Sequence, residues 1–107
     1  MAPEMNQPPI TVVAVVRAKK GCETALKNVL LELLAPSRAE ESCIRYWLHQ
    51  HSQDPTRFIF YETWTSLDAL KEHSQAPHLE AFRAKASALL AGPIDLTIWD
   101  EIGSERP

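Results

Sequence analysis

Phe58-Ile59-Phe60-Tyr61-Glu62-Thr63-Trp64, continuing as Thr65-Ser66-Leu67-Asp68-Ala69-Leu70-Lys71-Glu72-His73, is the stretch on which the fold turns. Aromatic and β-branched residues dominate its first half, which reads as a buried strand. Thr65 and Asp68 stand at capping-box spacing, so a helix is expected to begin within a residue or two. Glu62 interrupts the apolar run, and a buried carboxylate is costly unless something pairs with it. His73 follows on the predicted helix, and Ala76-Pro77-His78-Leu79 opens the next one. A strand ending in an acid, followed by two short helices carrying histidines, reads as the wall and rim of a pocket.

Upstream, Cys43-Ile44-Arg45-Tyr46-Trp47-Leu48-His49-Gln50-His51 reads as a strand. Strand alternation sets Ile44, Tyr46 and Leu48 on one face and Arg45, Trp47, His49 and His51 on the other. Ser52-Gln53-Asp54-Pro55-Thr56 is a turn cluster short enough for an antiparallel hairpin. Earlier still, Ile10 to Val16 is nearly continuous β-branched sequence, as expected of a strand covered on both faces. Lys19-Lys20-Gly21 makes a turn. From Cys22 the period changes, and Leu26, Val29, Leu30, Leu33 and Leu34 fall on one helical face. Pro36 is expected to bend or interrupt that helix. Downstream, Pro77 suits a first helical turn, and Leu79, Phe82, Ala86, Leu89 and Leu90 form an apolar stripe ended by Gly92-Pro93. Ile94 to Trp99 alternates as a last strand.

The order β-α-β-β-α-α-β predicts an α+β ferredoxin-like sandwich spanning residues 10–100, with residues 1–9 a disordered tail and 101–107 a C-terminal tail. The first and third strands are apolar at both parities, so the sheet face without helices needs a cover. Each Val or Ile left wet there would forgo ~1.5–3 kcal/mol. A second copy of the chain is the simplest cover, which predicts a homodimer.

The 107 residues make one domain, with 45% apolar and 23% charged residues and a net charge of −3. No basic cluster is available to neutralise phosphates, so no nucleic-acid partner is expected. No apolar run approaches the ~20 residues of a membrane span, and the N-terminus lacks the pattern of a secretory signal. Cys22 and Cys43 do not make a disulfide framework. A cytoplasmic protein with reduced thiols and no membrane partner is expected.

Tyr61-Glu62-Thr63-Trp64, with Ala69, His73, Pro77-His78 and Phe82 after it, resembles the antibiotic biosynthesis monooxygenase (ABM) family, and is most similar to its small bacterial quinol monooxygenases. Lys20-Gly21, Arg38-Ala39-Glu40 and Tyr46 are similar to that family too, and the likeness runs from Ile10 to Trp99. The resemblance implies a dimeric α+β barrel with a pocket in each subunit between sheet and helices. It also implies, for some members, oxygenation of a quinol or related small aromatic by O2 without metal or flavin. Many members carry Pro-Gly before the cysteine, where this chain has Glu41-Ser42. The haem-degrading branch uses an Asn, a Trp and a His where this chain has Ala14, His73 and Arg83, so haem degradation is not expected.

His73 is the leading candidate for an acid or base, because an imidazole titrates near working pH. Glu62 could orient it as a carboxylate orients histidine in other acid–histidine pairs. Equally, a Glu62–His73 hydrogen bond could simply fasten helix to sheet. Tyr46, Trp64, His78 and Phe82 are the candidate substrate contacts, against which stand their ordinary roles as core aromatics or a helix-start side chain. His49 and His51 share a strand face but lack a third ligand. His73 and His78 are not an i, i+4 pair, so no metal is expected from them, and the resemblance implies no other cofactor. Two alternatives remain: an isomerase of the same fold acting on a small metabolite, and a non-catalytic dimeric binding protein.

Overall fold

A computed structural model describes residues 7–103; the residues of the two expected tails that fall at 1–6 and 104–107 lie outside that range. The elements in chain order are β1 (Ile10–Arg17), α1 (Glu23–Leu31), α2 (Leu34–Arg38), β2 (Cys43–Gln50), β3 (Arg57–Trp64), α3 (Leu67–Ser74), α4 (Pro77–Ala86) and β4 (Asp95–Asp100). The strands form one sheet in the order β2-β3-β1-β4, with every neighbouring pair antiparallel. This is the ferredoxin-like α+β arrangement expected from the element order. No described helix is long and apolar enough to cross a membrane.

Register explains which face the helices cover. Val12, Ala14 and Val16 lie opposite Glu62, Phe60 and Phe58, and Tyr46 lies opposite Glu62 from the other side. These side chains are buried, and they share one core with Leu26, Leu30, Leu33, Leu70, Phe82 and Ala86 from the helices. On the reverse face Val13, Val15, Tyr61, Ile59 and Trp47 meet across the strands and stay outside that core. Trp47 and Tyr61 stack there at 5.6 Å between ring centroids. Trp47 and Ile59 are 47% and 39% exposed, and Trp99 of β4, on the same face, is 57% exposed.

The interruption expected from Pro36 is present, and three other local expectations are corrected. The helical stretch breaks at Glu32–Leu33, one turn before Pro36, which lies instead in the first turn of α2. A proline cannot donate to the carbonyl four residues back and clashes with it, and ahead of the ring the Leu33 N–H bonds three residues back, to Leu30, at 3.1 Å. The cap of α3 is Ser66, not Thr65: the Ser66 hydroxyl accepts from the Ala69 N–H at 3.1 Å. Helix α4 ends at Ala86, before Gly92-Pro93. Leu89 and Leu90 then act through the backbone, with Leu89 accepting from the Lys19 N–H and Leu90 bridging to Ala18. Ile44 does not share a face with Tyr46, because the ladder slips between Cys43 and Arg45 and leaves Ile44 as an extra, exposed residue.

Candidate functional site

Three separate segments converge above Trp64. The chain leaves α3 at Ser74 and re-enters a helix at Pro77 after only Gln75 and Ala76. Pro77 is pre-set for a first helical turn, so the change of direction is abrupt. It brings the rings of His73 and His78 to 5.8 Å. The loop after α2 supplies Glu40, whose Oε2 lies 2.6 Å from His73 Nδ1 and 3.3 Å from His78 Nε2. His78 Nε2 also lies 3.1 Å from the buried Ser37 hydroxyl. Beneath them the Trp64 ring, fully buried, packs on His73 at 4.2 Å, and Tyr46 meets the same imidazole edge-on at 5.5 Å.

The expected Glu62–His73 bond is therefore corrected. The acid on His73 is Glu40, while Glu62 accepts from the indole N–H of Trp64 at 2.8 Å. Glu62 and Trp64 are two apart on one strand, hence on one face, and the indole was the nearer partner all along. Glu62 and His73 nonetheless meet a common space, a cavity of about 270 Å³ between sheet and helices. Val16, Phe60, Leu70, Leu79 and Ile94 wall it, with Tyr46, Phe82 and Arg83 also at its surface. Of the expected substrate contacts, Tyr46 and Phe82 line this cavity. Trp64 stands behind His73, and His78 lines a smaller neighbouring depression.

The protons are set by burial. Glu62 is 4% exposed, and burial raises its carboxyl to about 7, against the opposing pull of the Trp64 hydrogen bond. Burial holds the His73 imidazole below its ordinary value, although the Glu40 bond and charge work the other way. Its Nδ1 faces Glu40, so that nitrogen carries the hydrogen and donates it. Among the described residues Nε2 has no hydrogen-bond partner, and the His73 ring lines the cavity. The Tyr46 phenol is pushed up by burial and stays neutral. Burial likewise lifts the Cys43 thiol to about 11, which makes it unreactive near neutrality.

Glu40, His73 and His78 bring one ligand atom each within 4.8 Å of the others. Two imidazoles and a carboxylate suit zinc or another first-row ion. His49 with His51, from which no metal site was expected, is less suited, since His51 Nδ1 already accepts from the Gln53 and Asp54 N–H groups of the hairpin turn. Sequence reasoning missed Glu40 and Ser37. Glu40 lies 33 positions from His73, and only its place in the Arg38-Ala39-Glu40 stretch marked it out.

Comparison with known proteins agrees with this architecture. The sequence profile described as "Antibiotic biosynthesis monooxygenase" matches residues 9–85. A relative from Mycobacterium tuberculosis, named "Putative monooxygenase Rv0793", is 32% identical over 90 residues, covering 84% of this chain and 88% of its own. The solved structure of Rv0793 superposes with a TM-score of 0.84, at 28% identity over 92% of this chain and 99% of that one. PA3566 from Pseudomonas aeruginosa superposes with a TM-score of 0.86 at 33% identity, covering 91% and 97% of the two chains.

The burial of Glu62 without a counter-charge among the described residues has a measurable signature. Its folded value lies above its unfolded one, so its contribution favours folding at low pH and is lost as pH rises toward about 7. Glu62→Gln keeps an acceptor for Trp64 and removes the ionisation. Its melting temperature is expected to exceed that of the parent by several degrees at pH 8 and to match it near pH 4.5, as read by thermal unfolding at both pH values.

Proposed function

The chain belongs to the antibiotic biosynthesis monooxygenase family, and on that premise we propose that it is a cofactor-independent monooxygenase acting on a quinol or related small aromatic. The family and the name of its relative support a general monooxygenase-like role. The observation that carries the finer reading is the Glu40-oriented imidazole of His73 in the wall of an apolar cavity. At about 270 Å³ the cavity is just below the ~300–1,000 Å³ typical of drug-sized ligands, a scale suited to one or two fused rings. Its apolar walls offer few partners for the hydroxyls of a sugar-like metabolite, which weighs against the isomerase alternative.

The chemistry needs little more than a base. His73 Nε2 takes a phenolic proton, while Glu40 stabilises the imidazolium through Nδ1–H. The resulting anion is a far stronger electron donor to O2 than the neutral phenol. Oxygen adds to a ring carbon as a peroxide, the proton returns, and loss of water leaves one oxygen atom on the ring as a carbonyl. A quinol and O2 thus become a hydroxyquinone and water. Burial supports the base role, because it keeps the imidazole neutral at pH 7.

A second reading rests on the Glu40–His73–His78 cluster, which has the donor set for a metal-dependent oxygenase. The same atoms then hold an ion instead of sharing protons.

The exposed Trp47, Ile59 and Trp99 on the helix-free face support assembly as a homodimer through that face. Sedimentation equilibrium at micromolar concentration is expected to give twice the chain mass, and a stable monomer would contradict the dimer. For the base itself, His73→Gln is expected to lower oxygen uptake with hydroquinones by ~10²–10⁴-fold. Glu40→Gln should cost less, since the imidazole remains. Both variants should melt within a few degrees of the parent, and parent activity should survive a strong chelator. Loss of activity on chelation would favour the metal reading. Unstable but fully active variants would show that the pair only fastens the fold.

A further inference from the structure

Glu62 is the buried ionisable group that proton transfer by His73 leaves without a task. It sits mid-sheet on the helix-covered face, opposite Val12 of β1 and Tyr46 of β2. Its Oε1 accepts from the Trp64 indole, and among the described residues no cation lies within ion-pair distance of it. The nearby charged groups are engaged elsewhere. Arg38 donates to the Tyr46 carbonyl, Arg83 at the cavity edge donates to the Ser74 carbonyl, and Glu40 is shared between the two histidines. Tyr46 and Cys43 face it uncharged, as does neutral His73, and β4 contributes Leu96 and Ile98 to this face, with Asp100 at the strand end opposite Ile10.

A carboxyl buried this way holds its proton, because nothing compensates the charge. With Oε1 accepting from the indole, the proton belongs on Oε2. That oxygen has no partner among the described residues, yet no fully buried side-chain oxygen there is unpartnered. Glu62 lines the cavity together with His73. A donor and a base then share one apolar chamber. Trp64 is the plank between them, packed at a tilt on His73 and hydrogen-bonded to Glu62.

We propose that Glu62, as a neutral acid, donates a hydrogen bond to a second oxygen of the substrate while His73 serves the first. The cavity thereby selects flat aromatics carrying two oxygen functions, one an ionisable hydroxyl and one an acceptor. This rests on the aromatic-substrate reading above and adds a specificity-determining residue to it. The ionisation of Glu62 near pH 7 turns the donor into a repelling anion, so recognition weakens as pH rises.

A suitable probe is 2,3-dimethyl-1,4-naphthoquinone, which only accepts hydrogen bonds, does not titrate and has no free ring position for thiols. Its binding is followed by quenching of tryptophan fluorescence from pH 5.5 to 8.5. The dissociation constant of the parent is expected to rise roughly tenfold across about pH 7, the scale of one lost hydrogen bond. Glu62→Gln keeps a donor and an acceptor, and should bind with a constant that does not change with pH. Carboxyl-carbon NMR of the glutamate-labelled parent checks the same ionisation without any variant. A parent constant independent of pH, or a pH slope that survives in Glu62→Gln, overturns the proposal. Absence of binding by both proteins at every pH overturns the aromatic-substrate reading and this inference together. The expected pH dependence without oxygen uptake on any hydroquinone would sink the oxygenase chemistry and leave Glu62 as the recognising acid.

Discussion

A hydrogen bond of 2.6 Å between Glu40 and His73 ties the loop before β2 to the end of α3. The rest of the site depends on it. Without Glu40, a buried imidazole over Trp64 would have either ring nitrogen free to carry the hydrogen. With it, Nδ1 is committed, and the other nitrogen is left bare. The same carboxylate reaches His78, which holds the start of α4 against α2 through Ser37. One acid thus sets both the chemistry of the pocket and the packing of its rim.

The two carboxyls of the site contrast sharply. Glu40 is partly exposed and sits between two imidazoles. Glu62 is enclosed by Val12, Tyr46 and Trp64, an environment that rejects its charge. Environment, more than residue type, separates an orienting anion from a neutral donor. Both arrangements follow from the sheet register, which sets Glu62 inward beside the core aromatics. They follow equally from the short link at Gln75-Ala76, which turns two helices toward each other.

Much of this was legible in the sequence because it follows short periods. The apolar runs of β1 and β3, the stripe from Leu26 to Leu33 and the proline at the start of α4 each announce their element locally. What was not legible depends on one extra residue or on distance. Ile44 breaks the alternation of β2 by bulging, and nothing in Cys43-Ile44-Arg45 marks a bulge. The Glu40–His73 pair joins residues 33 apart through a turn that carries no motif. Glu62 was correctly singled out as an anomalous buried acid, but assigned to the histidine instead of the indole two residues away. Pattern shows that a buried carboxyl needs a partner; only the fold shows which partner lies within reach.

The central claim is that Glu40 fixes His73 as the Nδ1–H tautomer with a bare Nε2. Proton–nitrogen correlation NMR of imidazole-labelled protein at pH 7 tests it directly. The account predicts a protonated Nδ1 and an unprotonated Nε2 for His73, with the preference lost in Glu40→Ala, which removes the acceptor. A proton on Nε2 with Nδ1 bare, or a doubly protonated ring at neutral pH, would contradict it.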